Sequence, residues 1–145
     1  DEVYGKTGIQ FMQLNTLYQL FAMTKAKSPA LASAARLLNM PDLFNFFLTG
    51  EKANEFTISS TTQCYNPKQK NWDFEMLKKL GIPTKIFGEI VAPGTLLGKL
   101  RPSLAQEIGY SASVISNAGH DTACAIAAVP STDDDIFILA LAHGR

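Results

Sequence analysis

The sequence predicts an α/β fold, and three features carry that prediction. The last third alternates an apolar strand, a glycine turn, a small-residue helix and a second apolar strand, the unit from which α/β domains are built. The first third repeats apolar residues at helical spacing in three successive stretches. Glycine and proline fall at the ends of these stretches, where helices stop and start.

In chain order, Leu14, Leu17, Tyr18 and Phe21 share one face at i, i+3, i+4, i+7, predicting a first helix. Ser28-Pro29 reads as an N-cap followed by proline at the first helical position, with Leu31, Ala34, Ala35 and Leu38 continuing a second helix. Pro41-Asp42 opens a third, with Phe44, Phe47 and Leu48 on one stripe and Gly50 as its stop. The Thr- and Ser-rich stretch from Glu55 to Gln63 has no decisive period. Asn66-Pro67 to Asn71 reads as a solvated turn. Asp73 caps a helix carrying Met76, Leu77 and Leu80 that ends at Gly81. Pro93-Gly94 marks a turn, and Gly94 to Gly98 reads as loop, since it lacks the Gly-Lys-Ser/Thr ending of a phosphate loop. Arg101-Pro102 to Gly109 is a short helix. Ser113 to Ser116 is a buried strand, Ala123 to Val129 a helix thin enough to pack on a sheet, and Ile136 to Leu141 a second strand after the acidic turn Asp133 to Asp135.

Composition narrows the function. The 145 residues give room for one domain with a core. With 46% hydrophobic and 18% charged residues, the chain is not a disordered polyelectrolyte. Thirteen basic residues balance thirteen acidic ones, so there is no general attraction to nucleic acid or to an anionic membrane, and neither is expected as a partner. The two cysteines, with His120 and His143, form no disulfide framework and no metal-ligand spacing. No apolar run is long enough to span a membrane, and Asp1-Glu2-Val3-Tyr4 does not begin a signal peptide. A cytoplasmic location is expected.

The chemistry-bearing residues gather after the Ser113 strand, in Gly119-His120-Asp121-Thr122. In α/β sheets ligands collect at the carboxyl ends of strands, where loops meet helix starts. A carboxylate at Asp121 can accept backbone N–H groups, which favours the anion, and can orient a hydroxyl and take its proton. Helix capping alone also accounts for an aspartate at such a position. His120 reads as a polyol contact or a turn histidine, and Thr122 as a sugar donor or a first-turn residue. The Phe44, Phe46, Phe47 cluster reads as core or as a docking face.

Eight blocks taken together resemble a known family. They are Thr7-Gly8-Ile9-Gln10-Phe11, Asn15-Thr16-Leu17-Tyr18-Gln19-Leu20, Leu38 to Phe44, Leu48-Thr49-Gly50, Ser60-Thr61-Thr62-Gln63, Asn71-Trp72-Asp73, Pro93-Gly94-Thr95 and His120-Asp121-Thr122-Ala123. They are similar to the FGGY carbohydrate kinases, and within these to the rhamnulokinase branch, in order from Val3 to Pro130. The resemblance implies part of an actin-like, ribonuclease-H-like lobe with inserted helices. It implies ATP-dependent phosphorylation of L-rhamnulose at its 1-hydroxyl, with Mg²⁺ accompanying the nucleotide. The family's base falls on Asp121, and its sugar contacts fall on His120, Asp121 and Thr122. No nucleotide-binding or metal-binding residue of the family falls within this chain. Residues 1–145 correspond to part of the N-terminal, sugar-binding domain, with family segments expected on both sides; residues 139–145 depart from the family pattern and read as a non-native tail. The segment alone is expected to be inactive, because its partners include the remaining lobes as well as sugar and ATP. Alternatives are a kinase for xylulose, fuculose, glycerol or a similar acceptor, a non-catalytic interaction domain, and a hydrolase using His120 and Asp121.

Overall fold

A computed structural model describes residues 2–130. The predicted strand from Ile136, the acidic turn before it and the tail lie outside the described residues. The N-terminal part is helical: α1 (Glu2–Thr7), α2 (Thr16–Lys25), α3 (Pro29–Ser33) and α4 (Met40–Thr49). Leu17, Leu20 and Leu31 turn inward from α2 and α3.

Two limits of α2 and α3 differ from the sequence pattern, and both have a hydrogen-bonding reason. Leu14 precedes α2 and is 70% exposed. The chain turns at Asn15 because its buried amide donates to the Gln10 carbonyl and to Gln63 Oε1, both at 3.1 Å. The second helix stops at Ala34 instead of reaching Leu38. Beyond Ala34 the backbone is extended, and the Leu37 N–H donates to the Ile86 carbonyl at 2.8 Å, a partner that continuing the helix would forgo.

The core gathers where these helices meet the middle of the chain. Leu17, Leu20, Leu31, Cys64, Trp72, Met76, Leu77, Ile82, Ile86 and Phe87 form one buried cluster. Trp72 is its largest member; its ring meets Phe87 edge-on at 5.0 Å, and its indole N–H donates to the Gly88 carbonyl at 2.7 Å. The hairpin β2 (Tyr65–Asn66) and β3 (Asn71–Trp72) delivers that tryptophan. Before it in the chain, β1 (Asn54–Glu55) pairs in parallel with β4 (Ile90–Val91). α5 (Phe56–Ser60) follows β1 directly, and α6 (Phe74–Lys79) starts as predicted at Asp73, whose Oδ1 accepts the Met76 N–H at 2.9 Å. The Glu2 and Lys79 side chains, 2.8 Å apart, bridge α1 to α6; the ammonium holds the Glu2 carboxyl below its ordinary pKa.

The stretch without a clear period, Glu55 to Gln63, is among the most deeply enclosed in the molecule. Glu55, Ser59, Thr62 and Gln63 are buried. A polar sequence gives no sign of this, because apolar patterning is absent and the partners of Glu55 and Gln63 include Gly119, Asn15 and Ile9, far away in the chain.

In the last third, β5 (Leu96–Lys99) pairs antiparallel with β6 (Ser113–Ile115), joined by α7 (Pro102–Ile108). The segment expected as a loop from Gly94 is therefore a strand from Leu96 onward. A register shift between Leu96 and Gly98 bulges the ribbon, which hides the alternation a strand normally shows. β6 is buried on one side only: Val114 and Ser116 face inward and Ile115 outward. α8 (Asp121–Ala127) starts two residues before its predicted beginning and has no buried residue, so the expected packing on a sheet is not made among the described residues. The aromatic stripe of α4 is also outward-facing, with Phe44 60% and Phe47 54% exposed. α4 ends as predicted at Gly50, whose φ of 90° suits glycine. Arg101 closes that end by donating to the Phe46 carbonyl at 2.9 Å and lying 5.0 Å over the Phe46 ring. Among the described residues no helix is long and apolar enough to cross a membrane.

Candidate active site

The chain leaves β6 after Ile115 and enters α8 at Asp121. The Gly94 N–H donates to the Ser116 carbonyl at 2.6 Å, and the Ser116 N–H to the Thr95 carbonyl at 2.8 Å, which fixes the root of the loop against the Pro93-Gly94 turn. Its tip is held from the other side by residues about sixty positions earlier. The Gly119 N–H donates to Glu55 Oε2 at 2.9 Å, and the His120 N–H to Thr57 Oγ1 at 3.2 Å. The Thr57 hydroxyl in turn donates to Glu55 Oε2 at 2.6 Å.

Room is tight at Gly119. A Cβ there would lie 3.2 Å from Ile58 Cγ2 and 3.2 Å from the Pro41 ring, so the loop rests directly on the start of α4 and on α5.

Glu55 is almost wholly buried, and its carboxylate is fully engaged. Besides Gly119 and the Thr57 hydroxyl, it accepts the Thr57 N–H at 2.7 Å and the Ile58 N–H at 3.2 Å, capping α5. Behind it stands a second buried carboxylate. Asp42 Oδ1 accepts the Glu55 N–H at 2.9 Å, while Oδ2 accepts from the Asn39 backbone and amide and from the Asn54 amide. Burial pushes the Asp42 carboxyl above the ordinary carboxylate range. A chain of hydrogen bonds thus runs from the start of α4 through β1 to the loop.

Asp121 is the first residue of α8, and His120 holds the N-cap position that the sequence reading gave to the aspartate. The carboxylate is 90% exposed. Its Oδ1 accepts the Thr122 N–H at 2.7 Å and lies 3.6 Å from His120 Nε2; among the described residues Oδ2 has no hydrogen-bond partner. The Thr122 hydroxyl lies 3.4 Å from the same Oδ1. The three residues singled out from the sequence are therefore adjacent, and the carboxylate faces open space.

His120 also lines a cavity of about 340 Å³ with Ile9, Leu14, Asn15, Thr16 and Thr61. Its wall is tied together by Gln63, whose amide donates to the Ile9 carbonyl at 2.7 Å and accepts from Asn15 at 3.1 Å. Four sequence blocks far apart in the chain meet here: Thr7 to Phe11, Asn15 to Leu20, Ser60 to Gln63, and His120-Asp121-Thr122. Sequence reasoning missed Glu55, Thr57 and Asp42. The one local signal was Glu55 two residues before Thr57 at the head of Phe56-Thr57-Ile58, an acidic N-cap pattern.

Among the described residues no cluster of three or more His, Cys, Asp or Glu could hold a metal ion. The Mg²⁺ that the family resemblance implies beside ATP therefore finds no ligand set among the described residues.

The two thiols differ sharply. Burial pushes the Cys64 thiol up to about 12, whereas Cys124 is half-exposed and donates to the Ala118 carbonyl at 3.1 Å. The thiolate is the nucleophile. Iodoacetamide at pH 8 is therefore expected to label Cys124 in the native chain and Cys64 only after denaturation, as read by peptide mass spectrometry. Equal labelling of both in the native state would contradict this burial.

Comparisons with known proteins bear on the family and the fold. A family model described as the N-terminal domain of the FGGY family of carbohydrate kinases matches residues 1–128. Rhamnulokinases from Oceanobacillus iheyensis and Halalkalibacterium halodurans are 41% and 43% identical over 138 residues, 95% of this chain. They are matched over 29% and 30% of their own lengths, so the chain spans less than a third of these relatives. Among solved structures, a xylulose kinase from Lactobacillus acidophilus aligns over 81% of this chain and 24% of its own, with a TM-score of 0.74 at 23% identity. A glycerol kinase from Plasmodium falciparum aligns over 80% and 24%, with a TM-score of 0.68 at 16% identity. At these identities the structural likeness concerns the fold, which is that of the sugar-kinase lobe.

Proposed function

Since the chain belongs to the FGGY family of carbohydrate kinases, we propose that the complete protein carrying it transfers the γ-phosphoryl group of ATP to the 1-hydroxyl of L-rhamnulose. The products are L-rhamnulose 1-phosphate and ADP. The hydroxyl oxygen bonds to the γ-phosphorus, the bond to the bridging oxygen of ADP breaks, and the hydroxyl proton passes to Asp121. His120 and Thr122 hold the sugar beside that carboxylate.

The observation that carries this reading is an open carboxylate on an anchored loop beside a part-polar cavity. In phosphoryl transfer with a loose transition state, the acceptor has only to be oriented and its proton collected late. A solvent-facing aspartate with one oxygen engaged and the other free of protein partners among the described residues suits that task. The likeness to two rhamnulokinases supports the ketose. The location proposed for the whole protein is cytoplasmic, where ATP and a catabolic ketose meet.

A substrate panel on the complete protein tests the assignment. ATP-dependent ADP release is expected with L-rhamnulose at a kcat/KM well above that for xylulose, fuculose or glycerol. A preference for one of the others keeps the family and replaces the substrate. No turnover with any of them overturns the kinase reading.

A further inference from the structure

We propose that Glu55 is a positioning residue for the reaction, its buried carboxylate setting the place of the loop that presents His120 and Asp121. The inference rests on the kinase reading of Asp121. Glu55 is itself too deep to touch substrate. It acts through two links, directly to the Gly119 N–H and through the Thr57 hydroxyl to the His120 N–H. These are the two backbone groups immediately before Asp121.

Three features set this arrangement apart from an ordinary helix cap. A cap needs one side-chain oxygen accepting one or two N–H groups. Glu55 fills that duty with the Thr57 and Ile58 amides, and the same carboxylate then takes a loop sixty-four residues away. The helix that follows buries no residue, so it adds little hold of its own to the tip of the loop. Finally, Gly119 packs closely on Ile58 and Pro41, where a Cβ would lie 3.2 Å from both, so the loop rests on these side chains as well as on the carboxylate. Hydrogen bonds to a charged acceptor are the stronger kind, and here they fix the loop along two directions.

Shortening the side chain separates the two duties. Glu55→Asp keeps a carboxylate in a favoured N-cap residue, so α5 retains its cap, but withdraws it from Gly119. In the complete protein, kcat with L-rhamnulose is expected to fall by about 10²-fold, the usual cost of misplacing a reacting group by about an ångström, with little loss of thermal stability. Thr57→Val, which deletes the hydroxyl between Glu55 and His120, is expected to lower kcat similarly, and Thr57→Ser to restore it. The Gly119 amide proton, shifted downfield by its carboxylate acceptor, is expected to move upfield in Glu55→Asp. Asp73→Asn, which perturbs a buried cap on α6 away from the loop, is the structural control and is expected to lower the melting temperature without changing kcat.

The proposal is overturned if Glu55→Asp and Thr57→Val keep kcat within about twofold of the parent, or lose it only in step with stability as other cap mutants do. An unmoved Gly119 amide in Glu55→Asp overturns it equally. If Asp121→Asn retains turnover, the kinase role of Asp121 fails instead, and the Gly119 resonance still decides whether Glu55 holds the loop.

Discussion

Asp121→Asn in the complete protein is expected to lower turnover by about 10²–10⁴-fold, the range that general-base groups supply, while ketose binding stays near the parent value. The amide matches the carboxylate in shape and keeps an oxygen for the Thr122 N–H, so the start of α8 survives. It has no lone pair basic enough to take the hydroxyl proton. Because the side chain is almost fully exposed, no packing is lost, and substitutions at such sites seldom change stability by more than about 0.5 kcal/mol. The check is steady-state kinetics beside calorimetric titration with the sugar in the absence of ATP. Loss of binding together with turnover would make Asp121 a sugar contact only, and near-normal turnover would move the base elsewhere.

The largest expected effect on the fold comes from Trp72→Ala. The indole is almost completely buried among Cys64, Met76, Leu77, Ile86 and Phe87, and its N–H is satisfied by the Gly88 carbonyl. Deleting a buried aromatic side chain costs about 3–5 kcal/mol from lost transfer energy and the cavity left behind. The Gly88 carbonyl also loses its partner, which adds to the penalty if water does not reach it. Against a whole-domain stability of about 5–15 kcal/mol, that is a large fraction. Circular dichroism during urea unfolding is the suitable probe, since the mutation removes the chain's single tryptophan. Trp72→Phe should recover much of the loss; a midpoint unchanged in the alanine variant would show that this cluster does not hold the domain together.

The parts of the molecule legible in the sequence were those governed by local rules. α4 with its Gly50 stop, α6 with its Asp73 cap and α7 with its Gly109 end all follow from capping chemistry within a few residues. The His120-Asp121-Thr122 turn was legible for the same reason: a strand, a glycine and a helix start are neighbours in the chain. What escaped was fixed from a distance. The early stop of α3 depends on Ile86, and the turn at Asn15 depends on Gln63. Glu55 looked like one more acidic residue in a hydroxyl-rich stretch, since nothing within ten positions of it announces Asp42 or Gly119 as partners. For the aromatic face of α4 the sequence left core and docking face open, and for α8 it suggested packing on a sheet; both faces are exposed, because amphipathic spacing tells which side is apolar and not what covers it.

The link from Glu55 and Thr57 to Gly119 and His120 also implies an order of assembly. During synthesis the mould leaves the ribosome first and the part cast upon it some sixty residues later. Helix α5 and its buried acid are complete once β4 has followed to pair with β1, whereas the later turn acquires its shape only by docking onto that finished surface. A change that slows the early piece should therefore delay the His120 turn as well, although the two never share a helix or a strand.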